Sequence, residues 1–347
     1  MNRKLDARSL FFALSFSLWF GMTMPAFGAI AKDDFFALVE SGDIGDIEAV
    51  IQKGQNIEQE NPYGETPLFL AVKRGDPEIV RLLLNTSANL GHKAHDNRTV
   101  LHYALFAPSR GRPLGKMMEI VNLLLLGDMS LVNAQDRDGN TPLHYFALLY
   151  SDRETRRRVQ GDLKDMPRLF GALLHAGADS NIQDKDGYTA LHDAVLGVDE
   201  EAALLLIQAS ADVNAVNKEG VTPLCFASGM GLPRVVSALL ERGAKPNVRI
   251  EGITPLHMAT GITLTDRKPS GEWESFGEVL KRIGKEETDF LEVTKLLVEA
   301  GAEVNALSSE GEKNTPLDIA EAIDNRAVTQ YLKSVGGRNK KPWYWPF

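Results

Sequence analysis

One cysteine, Cys225, stands among 347 residues, which rules out an internal disulfide and any fold that depends on one. Positive charge is also short: Lys and Arg number 38 against 47 Asp and Glu, a formal charge of −9, so the surface as a whole repels nucleic acid. Familiar catalytic signatures are missing, with no H-E-x-x-H, no G-x-S-x-G and no paired C-x-x-C. Gly111-Arg112-Pro113-Leu114-Gly115-Lys116 imitates a phosphate loop but is one residue short, and no Ser or Thr follows the lysine. His92 and His95 sit close together in a turn without a third ligand, so they read as a solvated pair and no metal site is expected. Cys225 lacks an adjacent base and reads as a buried, inert thiol. What the chain does have is 44% apolar and 24% charged residues, enough to bury a core.

The first residues form a pattern of their own. Arg3, Lys4 and Arg8 precede a run from Leu10 to Phe20 broken only by Ser15 and Ser17, and Pro25, Ala26, Gly28, Ala29 and Ala31 follow. A basic start, a short apolar stretch and a small-residue boundary describe a secretory signal peptide over residues 1–31, with cleavage expected after Gly28 or Ala31. Retention as a membrane anchor is the alternative, because Ser9 to Ala31 carries no charge, although Gly21, Pro25 and Gly28 weaken it as a spanning helix. These residues carry net +2, so a chain without them stands at −11.

Beyond this segment one phrase recurs. It appears at Thr66-Pro67-Leu68, Thr99-Val100-Leu101-His102, Thr141-Pro142-Leu143-His144, Thr189-Ala190-Leu191-His192, Thr222-Pro223-Leu224-Cys225, Thr254-Pro255-Leu256-His257 and Thr315-Pro316-Leu317-Asp318. The threonines are spaced 33, 42, 48, 33, 32 and 61 residues apart, that is, a unit near 33 with inserts in three copies. Threonine caps a helix, proline suits the first helical turn where its missing N–H costs nothing, and leucine opens an apolar stripe, so each phrase begins a helix. Gly64, Gly139, Gly187, Gly220 and Gly252, with Asn97 before Thr99, stand two residues before a threonine and predict a left-handed turn there. A second helix follows in each unit, marked by clusters such as Leu82 to Leu84 and Leu123 to Leu126. It is expected to end at Gly54, Gly127, Gly177, Gly243 or Gly301, with Ser87 and Ser210 as less stable substitutes.

Turn, helix and helix at this period, with T-P-L-H-x-A opening the first helix and ends such as Gly177-Ala178-Asp179-Ser180-Asn181, is similar to the ankyrin repeat. The resemblance implies an all-α solenoid of about eight helix-turn-helix repeats with β-turn fingers over residues 32–337, including degenerate caps at both ends. It also implies that His102, His144, His192 and His257 bond to neighbouring backbone, and that fingers and first helices line a concave face for a protein partner.

Candidate binding residues therefore lie on that face and in the inserts at about 107–116, 150–167 and 263–290, all between the first and second helix of a repeat. The first insert carries Arg110, Arg112 and Lys116 with no acid; the second carries Arg153, Arg156, Arg157 and Arg158 among four acids. Together they offer a basic edge for an acidic partner or an anionic envelope polymer, or simply a solvated surface. Trp273, Phe276, Val279, Leu280 and Ile283 predict an amphipathic helix in the third insert. The tail at 338–347 combines Arg338, Lys340 and Lys341 with Trp343, Tyr344, Trp345 and Phe347, and would dock on a partner, a membrane surface or the last repeat. The expectation is a monomeric, non-catalytic binding protein of a bacterial envelope, periplasmic or secreted, that needs no cofactor. It would protect, regulate or inhibit one protein, as an immunity protein does; the alternatives are a membrane-tethered scaffold or, last, an enzyme with an unrecognised site.

Overall fold

The computed structural model describes residues 35–106, 114–148, 165–250, 252–261, 286–308 and 313–340. Among them sixteen α-helices form eight consecutive antiparallel pairs: α1 Phe35–Ser41 with α2 Ile44–Gln52, α3 Pro67–Arg74 with α4 Pro77–Asn85, α5 Val100–Phe106 with α6 Leu114–Gly127, and α7 Pro142–Ala147 with α8 Met166–His175. The second four are α9 Ala190–Leu196 with α10 Glu200–Gln208, α11 Pro223–Gly229 with α12 Pro233–Glu241, α13 Pro255–Met258 with α14 Glu287–Glu299, and α15 Pro316–Ala322 with α16 Arg326–Ser334. Each helix packs on its own pair and on its counterpart in the next, so a single apolar core runs along the array. Leu68, Leu101, Leu143, Leu191, Leu224, Leu256 and Leu317, the leucines of the recurring phrase, are all buried in it.

The helix starts have a chemical cause. Thr66, Thr141, Thr189, Thr222, Thr254 and Thr315 are extended N-caps, and five of the six are followed by proline. Second helices use acids and asparagine instead: Asp43, Asp76, Asp199 and Asn325 accept backbone N–H groups at 3.1–3.4 Å. Between pairs, the fingers close on main-chain bonds, for example Asp136 N–H to Asn140 C=O at 3.0 Å and Asp184 N–H to Tyr188 C=O at 2.8 Å. The expected left-handed residues are all present there, Asn97 included.

Three boundaries differ from the sequence reading. Helix α6 begins at Leu114, so Leu114 to Lys116 belong to a helix rather than to the first insert. Helix α8 begins at Met166 and α14 at Glu287, and Phe290 is wholly buried, so the ends assigned to the second and third inserts are core elements as well. Gly127 does not serve as a left-handed cap: it is the last residue of α6, and Asp128 then starts a 3-10 helix, Met129–Asn133. A Cβ at Gly127 would lie 2.4 Å from Leu90 Cδ1, so close approach explains this glycine.

Candidate partner-binding face

The histidines of the phrase tie each repeat to the next. In His102 the Nδ1 atom accepts the Thr99 N–H at 3.1 Å, which leaves Nε2–H to donate to Asn140 C=O, also at 3.1 Å. His144 repeats this with Thr141 and Tyr188, His192 with Thr189 and Val221, and His257 with Thr254 and Asn314, at 3.1–3.2 Å throughout. Each acceptor carbonyl belongs to the residue preceding the next repeat's threonine. Burial holds His102, His192 and His257 down at about 4, against the pull of the carbonyl bond. Both ring nitrogens are spent, so these side chains are fasteners and not acids, bases or ligands.

Cys225, in the histidine position of the sixth repeat, accepts a hydrogen bond from the Thr222 hydroxyl at 3.3 Å, and burial raises its thiol pKa. It is the inert thiol expected from sequence. His92 departs from the solvated reading: Nε2 contacts Gly64 C=O at 2.8 Å, and its ring meets Phe69 edge-on at 5.8 Å, while His95 is exposed. Among the described residues no group of three or more His, Cys, Asp or Glu is placed to hold a metal, and no helix is long and apolar enough to cross a membrane.

Sequence reasoning missed a second set of fasteners between the end of each second helix and the finger that follows. Asn133, Asn214, Asn247 and Asn305 each donate to a carbonyl of the next repeat's helix end (Gly177, Gly243, Gly301 and Gly336) and accept a nearby N–H. Asn181 accepts the N–H of Asp212 in the same register. The recurring asparagine just past each second helix was the available signal.

The face with open chemistry is made by the first helices and the finger bases of repeats two to six. Tyr103 on α5 meets Phe69 on α3 edge-on at 5.3 Å, Phe106 meets Tyr145 on α7 at 5.8 Å, and Tyr188 stacks on Phe226 of α11 at 6.1 Å. The Arg98 guanidinium lies 5.4 Å from the ring centres of both Phe106 and Tyr145, with Asp96 at 3.3 Å and Asp136 at 3.7 Å. The Tyr145 hydroxyl donates to Asp136 at 2.7 Å; Lys73 pairs with Glu65 and lies 4.7 Å from the Tyr103 ring centre. Burial first, then these carboxylates, raise both phenols above the ordinary tyrosine range. The result is a strip of rings and oriented charges suited to recognition, with Phe106 still 40% exposed.

Of the insert and tail candidates, Lys116 is exposed on the first turn of α6. Arg110, Arg112, Arg153, Arg156, Arg157, Arg158, Trp273, Trp343 and Trp345 lie outside the described residues, as does residues 1–31. The inserts leave between α5 and α6, α7 and α8, and α13 and α14, between the two helices of their repeats in every case.

A family model described as ankyrin repeats (3 copies) matches residues 35–114 and 163–250. Over 207 residues the chain is 31% identical to the nuclear factor NF-kappa-B p105 subunit of Gallus gallus, covering 58% of this chain and 18% of that protein. It is 30% identical to the B-cell lymphoma 3 protein homolog of Mus musculus, covering 57% and 41%, and 31% identical to human Rabankyrin-5, covering 60% and 16%. The chain thus spans less than half the length of each of these relatives. Fingers, threonine-started helix pairs, histidine fasteners and these matches together identify the chain as a member of the ankyrin-repeat family.

Proposed function

We propose that this chain is a non-catalytic binding protein that grips one protein partner with the concave strip of repeats two to six. The observation that carries the reading is the strip itself: rings contributed by repeats two to six, a cation held between two of them, and Phe106 left partly open. Aromatic side chains with oriented charges around a partly open ring are the composition of interaction hot spots. The basic inserts follow Phe106 and Leu148 directly in sequence. The match covers only part of each relative's length, in keeping with a module that supplies contact rather than chemistry.

We place the protein in a bacterial envelope, exported, on the strength of the basic, apolar and small-residue sequence of residues 1–31. Cell fractionation with N-terminal sequencing tests this: a soluble species starting at Ala29 or Lys32 is expected. An intact Met1 end in membranes would replace it with the tethered scaffold.

Binding is tested by affinity capture from envelope extract, comparing wild type with Phe106→Ser and with the neutralised run Arg156, Arg157 and Arg158. One protein retained in stoichiometric amount, and lost with Phe106→Ser while circular dichroism is unchanged, is the expected result. Equal retention by both would remove the concave strip from the reading.

A further inference from the structure

The end of α6 breaks a rule that the other second helices keep. Two residues after the wholly buried leucine of the helix (Leu83, Leu173, Leu206, Leu239, Leu297 or Leu332), the exposed place holds Asn85, His175, Gln208, Glu241, Glu299 or Ser334. In repeat three the same count from the buried Leu124 reaches Leu126, which is 81% exposed, more than any other large apolar side chain among the described residues. The turn that follows is longer as well: Asn133 lies six residues after Gly127, where Asn181 lies four after Gly177 and Asn247 four after Gly243. The added residues go into the 3-10 helix that Asp128 caps, and Met129 at its start is 59% exposed.

Beside Leu126 the surface is hollow. The ends of α4 and α6 leave a groove of about 580 Å³ between them, walled by Leu84, Ala88, Leu90 and Leu123, with Leu126 and Arg81 at its edge. Arg81 donates to Glu119 at 2.9 Å, and the two side chains are 48% and 43% exposed. A projecting and a receding apolar surface therefore adjoin, next to a pair of opposite charges. Apolar exposure of this kind, at a place that the other repeats keep polar, marks a contact site.

We propose that this patch is the interface of a homodimer, with Leu126 of each copy seated in the groove of the other. Knob and hollow lie on one surface, as a two-fold axis requires, since whatever residue i meets on the second copy must be met there by i in return. The charges satisfy the same condition. Turning one copy about the axis sets each Arg81 against the other copy's Glu119, so no charge is stranded. Over the rest of the surface two chains of charge −9 repel, and a neutral apolar patch is where they can approach. The groove belongs to second helices and the aromatic strip to first helices and finger bases, so the dimer leaves the strip open. The inference is independent of the concave reading, and it sets a dimer in place of the monomer expected from sequence.

Sedimentation equilibrium of the purified chain, from about 1 µM to about 500 µM, tests the proposal, and a Kd on the order of 10 µM is expected for a patch of this size. Leu126→Asn, which copies what repeat two carries at that place, should weaken dimerisation at least about tenfold while circular dichroism and the melting midpoint stay as in wild type. R81E and E119R should each weaken it about fivefold, and the double reversal R81E/E119R should restore it. Phe106→Ser should dimerise as wild type does. A wild-type chain that stays monomeric throughout overturns the proposal, and if its groove then takes up an apolar dye that Leu126→Asn abolishes, the groove belongs to another ligand. A dimer that survives Leu126→Asn, that the double reversal fails to restore, or that Phe106→Ser dissolves is built elsewhere and overturns it too.

Discussion

The junction between repeats five and six and the junction between repeats six and seven begin from the same phrase and solve the same problem with different chemistry. In the first, His192 bridges from Thr189 to Val221, and Asn217 in the facing finger accepts two loop N–H groups at 2.8 and 3.0 Å. In the second, Cys225 makes no bond to the next repeat among the described residues, and finger seven is one residue shorter, closed by a two-way pairing of Ile250 and Ile253 at 2.8 and 2.9 Å. Val221, Cys225 and Ile250 fill the space as a small apolar cluster. Polar fastener and asparagine cap have been exchanged together for burial and a tighter turn. Register survives the exchange, so the threonine start and the core leucine hold the repeat, and the histidine adds direction and pH dependence to a contact that burial already secures.

Acid should separate the two kinds of junction most strongly. The folded state holds His102, His192 and His257 at about 4, below an unfolded value of about 6.5, so in between the unfolded chain binds more protons. Stability is therefore complete above about pH 6.5 and is lost as pH falls through 4, by about 2 kcal/mol per histidine between pH 7 and 5. Urea melts across this range should show it, and hydrogen exchange should place the loss at the histidine junctions. A loss of equal size at the Cys225 junction would refute the assignment.

Core truncation comes next. Leu191 is wholly buried and precedes the His192 fastener directly in the chain, and Leu191→Ala should cost about 4 kcal/mol, with the flanking repeats uncoupling in a broadened melt. A melt that matches wild type would mean the helix register is misassigned. His192→Ala follows at about 3 kcal/mol, since it leaves the buried Thr189 N–H without its acceptor and opens a void. Cys225→Ala, which orphans no bond across the junction, should cost about 1 kcal/mol. Equal costs for these two in denaturant titrations would erase the distinction between the junctions.

The legible part of this molecule was the part written in repetition. Seven phrases located the first helices, and the histidine contacts implied by resemblance appear at four junctions. Gly127 misled because a glycine after an apolar run looks the same whether it turns the chain left-handed or makes room for Leu90; only the neighbouring repeat distinguishes them. Lys116 and Phe290 were placed in inserts because spacing gives an insert's length but not where a helix resumes. The aromatic strip escaped notice for a related reason. Tyr103, Tyr145 and Phe226 fall at ordinary helix positions in separate repeats, and their proximity arises only when the repeats stack.

The smallest test concerns the helix ends, where repeats four and five differ by one atom group. Gly177 and Ser210 occupy the same place, with φ of 87° and 65°, and both sites make the same pair of closing bonds: Gly177 and Ala178 to Leu174 and Leu173, Ser210 and Ala211 to Ile207 and Leu206. With bonding equal, what remains is the strain of a Cβ in left-handed backbone, set against the greater freedom a glycine gives the unfolded chain. Strain is the larger of the two, so Ser210→Gly should stabilise by about 0.5 kcal/mol and Gly177→Ser should cost a similar amount. Paired chemical melts resolve differences of this size when the slopes agree. If Ser210→Gly lowers the midpoint, the serine contributes something beyond its backbone, and the helix end of repeat five is not the weaker of the two.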